Sequence, residues 1–241
     1  MILKPYIKQQ GFTLVELAIV LIILGLVITT LLLPLRAQRE QAAQAQTENT
    51  LENAKQAILG FAQSKGRLPC PAVANGAESP LGGGSCTQQT GFLPAVTLGI
   101  QPTDTQGFAL DAWSNRIRYA VTSANANAYS FTTSNAMNTL GLSALTPDIR
   151  ICGTSVAVSC TPTINLINNA VAVVYSTGAT GSQAAGSNDE TENLNAVGAN
   201  QIDTVFVSHN NSAAPNEFDH LVTWISPYVL YNAMIQAGQL H

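Results

Sequence analysis

From Phe12 to Leu35 the chain is apolar at nearly every position. The polar exceptions are Thr13, Glu16, Thr29 and Thr30, and the two helix breakers are Gly25 and Pro34. The run is long enough to cross a hydrocarbon core of about 30 Å as a helix. From residue 36 the pattern changes. Residues 36–64 are rich in Ala, Gln and Glu, which are strong helix formers, and Leu51, Ala54, Ile58 and Phe61 fall at helical spacing as one apolar stripe. Glu52 and Lys55 can pair across one turn. The pattern therefore predicts one long helix that buries two different surfaces. Its first half is apolar all round and suits lipid or neighbouring helices; its second half suits docking on one side of a globular body. Pro34 lacks a backbone donor, which predicts a kink or a local end to regular bonding. Gly66, followed by Pro69 and Pro71, ends the helix.

Beyond that point the period changes to that of strands and loops. Residues 72–107 hold Pro80, Gly82 to Gly84, Pro94, Gly99 and Pro102, a loop-rich connection. The three glycines lack the Lys-Ser/Thr of a phosphate loop and read as a flexible turn. Ile117, Tyr119 and Val121 alternate with Arg116, Arg118 and Ala120, the pattern of a half-buried strand. Further strands are predicted at about 149–158, 170–176 and 202–208; the second is almost wholly apolar and should be central, covered on both faces. A polar stretch, 177–201, separates the last two and carries Asp189, Glu190 and Glu192. At the end, Ser226 can cap a helix that has Pro227 at its first position and Gly238 past its end. The class is α+β: a long N-terminal helix packed on a head with an antiparallel sheet.

Charge and cysteine narrow the function. Seven of the ten basic residues (Lys4, Lys8, Arg36, Arg39, Lys55, Lys65 and Arg67) lie in the first 67 positions. The head retains only Arg116, Arg118 and Arg150 among many carboxylates, so it has no basic patch for a phosphate backbone, and direct nucleic-acid binding is not expected. Lys4 and Lys8 on one side of the apolar run balance Arg36 and Arg39 on the other, which leaves orientation undecided by charge. The four cysteines, Cys70, Cys86, Cys152 and Cys160, all follow the apolar run, as expected of two disulfides. Three pairings are open; proximity in sequence favours Cys70–Cys86 and Cys152–Cys160. None of these pairs has the spacing of a zinc knuckle. No Gly-x-Ser-x-Gly elbow or His-Glu-x-x-His motif occurs, and His209 and His220 are separated in sequence, so no enzyme is expected.

One residue does not fit an ordinary membrane anchor. Glu16 places a carboxylate near the start of the apolar run, where burial costs about 2.5–3.5 kcal/mol or more. Gly11-Phe12-Thr13-Leu14-Val15-Glu16, with a short basic leader before it and an apolar helix after it, resembles the prepilin signature of type IV pilins and type II secretion pseudopilins. The resemblance covers residues 1–35. It implies that a prepilin peptidase cuts between Gly11 and Phe12 and methylates the new amine of Phe12. It also implies that Glu16 serves assembly by pairing with that amine on a neighbouring subunit, each charge relieving the other's desolvation.

The resemblance further implies a leader at 1–11 in the cytoplasm and a transmembrane or filament-core helix at 12–35. An amphipathic continuation follows at 36–66, then an extracytoplasmic head at 67–241. The chain would wait in the bacterial inner membrane with its head in the periplasm, then enter a pilus or pseudopilus. Its partners would be the peptidase, other pilin or pseudopilin subunits and an inner-membrane assembly platform. In such filaments the stretch between a glycine and a proline, here Gly25 and Pro34, can melt.

Asp111-Ala112-Trp113-Ser114-Asn115, with Tyr119, resembles the Asp-x-Trp-Gly-Asn-x-x-x-Tyr segment of major pseudopilins, with Ser114 in place of glycine and Ala112 in place of a common proline. Asp111 is expected to cap a turn and Trp113 to anchor the strand on the helix. Major pseudopilins bind calcium in a head loop, for which Asp189, Glu190 and Glu192 are the candidate ligands. Calcium needs six to eight oxygens, and a solvated loop is the stronger expectation. The function expected is that of a structural subunit, a minor pilin or pilin-like protein. The alternatives are a type II secretion pseudopilin and a tip or adhesive subunit whose head binds a ligand.

Overall fold

The computed structural model describes residues 11–123, 129–154, 165–181, 187–194, 204–213 and 217–241, without the side chains of 29–36. The chain forms two compact units, Met1–Ala43 and Gln44–His241. Helix α1 (Leu14–Lys65) contributes to both and is 52 residues long. It stays helical through Gly25 and Pro34, so the expected end of regular bonding does not appear as a break.

In the first unit the large apolar side chains from Phe12 to Ile28 are exposed, with Phe12 at 81% and Leu14 at 85%. Among the described residues no helix is long and apolar enough to cross a membrane. Part of the apolar run, residues 29–36, lies outside the described side chains.

The second unit is built on the other half of α1. Thr47, Leu51, Ala54, Ile58 and Ala62, three or four residues apart, form its buried stripe. Phe61, expected in the stripe, sits at its margin and is half-buried. The stripe shares one apolar cluster with a four-stranded antiparallel sheet. That sheet comprises β1 (Thr90–Phe92), β2 (Arg118–Val121), β5 (Ala172–Ser176) and β7 (Leu221–Ile225), in the order β1-β2-β5-β7.

Strand periodicity sends alternate residues of the sheet to opposite faces. Tyr119, Val121, Ala172 and Val174 join the helix cluster, together with Leu230 and Met234 of α5 (Pro227–Gln236). Ala120, Val173 and Tyr175 join a second cluster with Ile149, Ile151 and Phe206. These last belong to a smaller sheet of β3 (Ile149–Cys152), β4 (Asn165–Ala170) and β6 (Val205–Val207), ordered β4-β3-β6. The head is thus a helix layer, an antiparallel sheet and a small mixed sheet. β5 is buried along its whole length, as its apolar run requires.

Three strand expectations change. The run 170–176 belongs to two sheets, because Ala170 ends β4 and Ala172 opens β5; Val171 lies at the change of sheet, its N–H bonded to the Ile225 carbonyl. The strand placed at 149–158 is Ile149–Cys152, and residues 155–158 lie outside the described residues. The strand placed at 202–208 is Val205–Val207, and it pairs with β3 in parallel. The apolar count of a strand does not state its direction. Three short α-helices, α2 (Ala95–Leu98), α3 (Ala136–Leu140) and α4 (Asn188–Leu194), and a 3-10 helix at Leu142–Ala144 complete the described elements.

Where α1 ends, a buried ion pair ties the following loop to it. Gly66 takes the left-handed conformation at φ 68°, as a helix-ending glycine does. Arg67 then forms a two-pronged bond to Glu78, Nη1 to Oε2 at 2.8 Å and Nη2 to Oε1 at 2.7 Å, and lies over the Phe61 ring at 5.0 Å. Glu78 also accepts from the backbone N–H groups of Cys70 and Gly82. The Cys70–Cys86 disulfide, with Cα atoms 5.4 Å apart, closes the loop that holds Glu78. Cys152 is disulfide-bonded too, while Cys160 lies outside the described residues. Gly83 passes so close that an added Cβ would lie 2.3 Å from the Thr132 carbonyl oxygen and 2.6 Å from Nη1 of Arg67. Burial alone would raise the Glu78 carboxyl; its bonds to Arg67, the guanidinium charge and the two N–H groups together hold it below its ordinary value.

Arg67→Met, which leaves Glu78 buried without its cation, should cost about 3–5 kcal/mol in a denaturant titration. Adding Glu78→Gln should recover part of that loss, since the amide is uncharged and its one oxygen still accepts from either Cys70 or Gly82.

Candidate functional site: the N-terminal motif and the head cavity

The motif begins at an exposed Gly11 and Phe12. Thr13 caps α1: its Oγ1 accepts from the N–H of Glu16 at 3.2 Å, and its carbonyl accepts from the N–H of Leu17. Thr13 and Glu16 stand at the spacing of a capping box, and the Glu16 carboxylate lies in the first turn, where the helix dipole favours a negative charge. Glu16 therefore has a local reason to sit here, besides the assembly role that the resemblance implies. Sequence reasoning overlooked it, although the Thr-x-x-Glu spacing is the usual signal. Residues 1–10 of the leader lie outside the described residues.

In the head, the Asp111 segment is a tight, fully bonded turn. Asp111 Oδ1 accepts from the N–H groups of Trp113 (2.9 Å) and Asn115 (2.7 Å), and Oδ2 accepts from Ser176 Oγ at 2.6 Å. Asn115 Nδ2 donates to the Gly178 carbonyl at 2.7 Å, and Thr47 Oγ1 on α1 accepts from the Ala112 N–H. Trp113 is half-buried against the helix cluster. The segment thus joins helix, turn and β5 through polar bonds. Ser114 takes φ 70°, the left-handed region, where pseudopilins carry glycine.

The calcium candidates do not converge. All three are on α4, but Asp189 bonds Thr154 Oγ1 and His209 Nε2, both at 3.1 Å, whereas Glu190 is buried and accepts from the Asp219 N–H at 3.0 Å. Glu190, Asp219 and His220 instead bring ligand-type atoms within 4.8 Å of one another. All three groups have prior bonds: Glu190 accepts from the Asp219 N–H, the Asp219 carboxylate holds Thr180 through its N–H and hydroxyl, and His220 Nδ1 faces Asn193 Nδ2 at 3.2 Å. Oxygen donors are too few for calcium here.

Asn193 settles the tautomer of His220. Its Oδ1 accepts from the Val207 N–H at 2.7 Å and its Nδ2 donates to the Val207 carbonyl at 2.9 Å, so the amide cannot be reversed. Nδ1 of His220 is therefore the acceptor, and Nε2 carries the hydrogen. His220 is 1% exposed, and burial pushes its pKa down to about 4; Asp219 opposes this and Arg118 adds to it.

Beside His220 opens a cavity of about 470 Å³ between α1 and the segments 208–211 and 220–223. His209, distant from His220 in sequence, lines it too, stacked on Phe218 at a centroid distance of 4.0 Å. The Ser212–Phe218 bridge brings the two histidines together, a long-range pairing that no local pattern announces.

With this geometry in place, comparison with protein families matches the prokaryotic N-terminal methylation motif to residues 7–32. The chain carries that motif. It is the signature of type IV pilins and pseudopilins, proteins processed by prepilin peptidase. The match spans Gly11, Phe12, Glu16 and Gly25 and stops short of Pro34 and of the head. No curated protein and no solved structure matches the chain.

Two outcomes test the head. Ser114→Gly should raise stability by about 0.5–1 kcal/mol in a thermal melt, because glycine adopts φ 70° without the side-chain penalty. His220 has a folded pKa below its unfolded value. Its neutral ring thus contributes stability that is complete above about pH 6.5 and is lost as pH falls toward 4, roughly 3 kcal/mol in all. Urea titrations across that range should show the loss, and His220→Gln should flatten it.

Proposed function

We propose that this protein is a structural, non-enzymatic subunit of a type IV pilus-type filament, in the role of a minor pilin or pilin-like protein. The observation that carries this reading is the pairing of the methylation motif with a helix whose apolar side chains from Phe12 to Ile28 are all exposed. Such a surface is stable only when covered, first by lipid and then by other helices, an exchange of one apolar environment for another. Cleavage after Gly11 would create an amine at Phe12, four residues before Glu16. In a dry filament core that amine and carboxylate need each other, since an unpaired buried charge is far costlier than a paired one. Processing thereby makes the partner that assembly uses.

In this reading the precursor spans the bacterial inner membrane once, with its head in the periplasm. Its partners are prepilin peptidase, other pilin-type subunits and an assembly platform. The Asp111–Tyr119 turn favours one second reading, a pseudopilin of a type II secretion system, because its bonds give a structural purpose to a segment that resembles the pseudopilin one.

In cells with an active peptidase, N-terminal mass spectrometry should find N-methylated Phe12. Glu16→Ala should be cleaved and methylated as usual and yet be lost from sheared filaments, at least about ten-fold by immunoblot. Normal incorporation of that variant would overturn the assembly role of Glu16.

A further inference from the structure

We propose that the outward face of α5, together with Gly60 of α1, is a contact surface for a second copy of this chain. The inference rests on the filament reading for the presence of repeated copies, and it adds a contact in the head to that of Phe12 and Glu16. On its inner side α5 buries Pro227, Leu230 and Met234. Tyr228, Asn232 and Ile235, spaced at i, i+4 and i+7, point the other way. Tyr228 is 76% exposed and Ile235 48%, with Val229 beside them at 44%. A helix facing water ordinarily gives such positions to charged residues. Here no Lys, Arg, Asp or Glu occurs from Leu221 to His241. Tyrosine, apolar in body and polar at its tip, is a side chain that protein interfaces favour.

Charge selects the occupant. Beyond residue 67 the chain carries ten carboxylates against three arginines, so two heads repel wherever those groups face each other. A basic partner would be drawn to the carboxylates. An acidic partner, as a second copy is, meets no like charge on α5. A lipid surface fits poorly, because helices that lie on membranes carry Lys and Arg on their polar face and α5 has neither.

Gly60 is the independent observation. It is exposed in the interior of α1, where glycine weakens a helix relative to alanine. A Cβ added there would meet nothing within 4 Å, so no close contact inside the chain accounts for it. Three residues on, and therefore adjacent on the helix surface, Gln63 donates from Nε2 to the Ala233 carbonyl of α5 at 3.2 Å. Gly60 and α5 thus lie side by side. The bare backbone leaves room for a partner's side chain next to the apolar stripe.

The test places p-benzoylphenylalanine at Tyr228 of the full-length chain in cells with an active peptidase. After irradiation, adducts in the membrane and sheared-filament fractions are identified by mass spectrometry. An adduct of twice the chain's mass, joining two copies, is expected. The same probe at the exposed Leu81 should give at least roughly five-fold less of it. With the probe at Tyr228, Ile235→Glu and Gly60→Leu should each reduce the adduct at least about five-fold without lowering the melting temperature in detergent. No self-adduct in either fraction, adducts to other proteins or to lipid alone, equal yield at Leu81, or an undiminished adduct in Gly60→Leu would overturn the proposal. Recovery of the chain from sheared filaments in the same cells tests the filament reading separately. Its absence there, with the self-adduct kept in the membrane fraction, overturns that reading and supports this contact.

Discussion

A helix that is apolar on every side cannot remain in water, and that constraint governs the N-terminal unit. From Phe12 to Ile28 no face of α1 is reserved for solvent, and its only carboxylate there is placed in the first turn. Burying that surface is worth on the order of 25 cal/mol for each Å² covered, so the segment gains strongly from an apolar cover. The same physics bears on Glu16 in the free helix and in the proposed filament. In the free helix it sits beside the Thr13 cap and the positive end of the dipole; in the proposed filament it answers an amine that only cleavage exposes.

The head obeys the opposite rule. From Gln44 onward α1 buries a stripe one or two residues wide, and the sheet supplies what the stripe needs on one face while a second sheet covers the other. At the end of the helix, Arg67, Glu78 and the Cys70–Cys86 disulfide fix the chain's exit. A buried ion pair is a poor source of net stability compared with apolar side chains of like size, but removing one partner is expensive. The Asp111 turn is a second polar fastening, reaching from Thr47 on the helix to Ser176 on β5. Both fastenings place polar groups between layers, where bond geometry admits fewer arrangements than apolar contact does.

How much could be read in advance depended on the range of the interaction. The helix stripe apart from Phe61, the Gly66 end and the Ser226–Pro227 start are signals within a few residues of one another and took the expected form, and the motif around Gly11 to Glu16 is matched by the family model. The parallel pairing of β3 with β6, the change of sheet at Val171 and the meeting of His209 with His220 depend on segments far apart in sequence. The Thr13 capping role was local and could have been found from its spacing to Glu16. The calcium candidates erred for a physical reason: adjacent acidic residues on a helix point in different directions, so Asp189 and Glu190 serve different partners.

By itself, then, the sequence determined that this chain has an N-terminal methylation motif, a helix with two kinds of surface and an α+β head with cysteine bridges, because hydrophobic period, capping and motif chemistry are written within single elements. Tertiary structure alone decided the two-sheet arrangement, the bond pattern that sets the tautomer of His220, and the cavity it lines. Those properties arise where side chains from α1, α4, β7 and the segment after β6 meet, and no single stretch of the chain contains them.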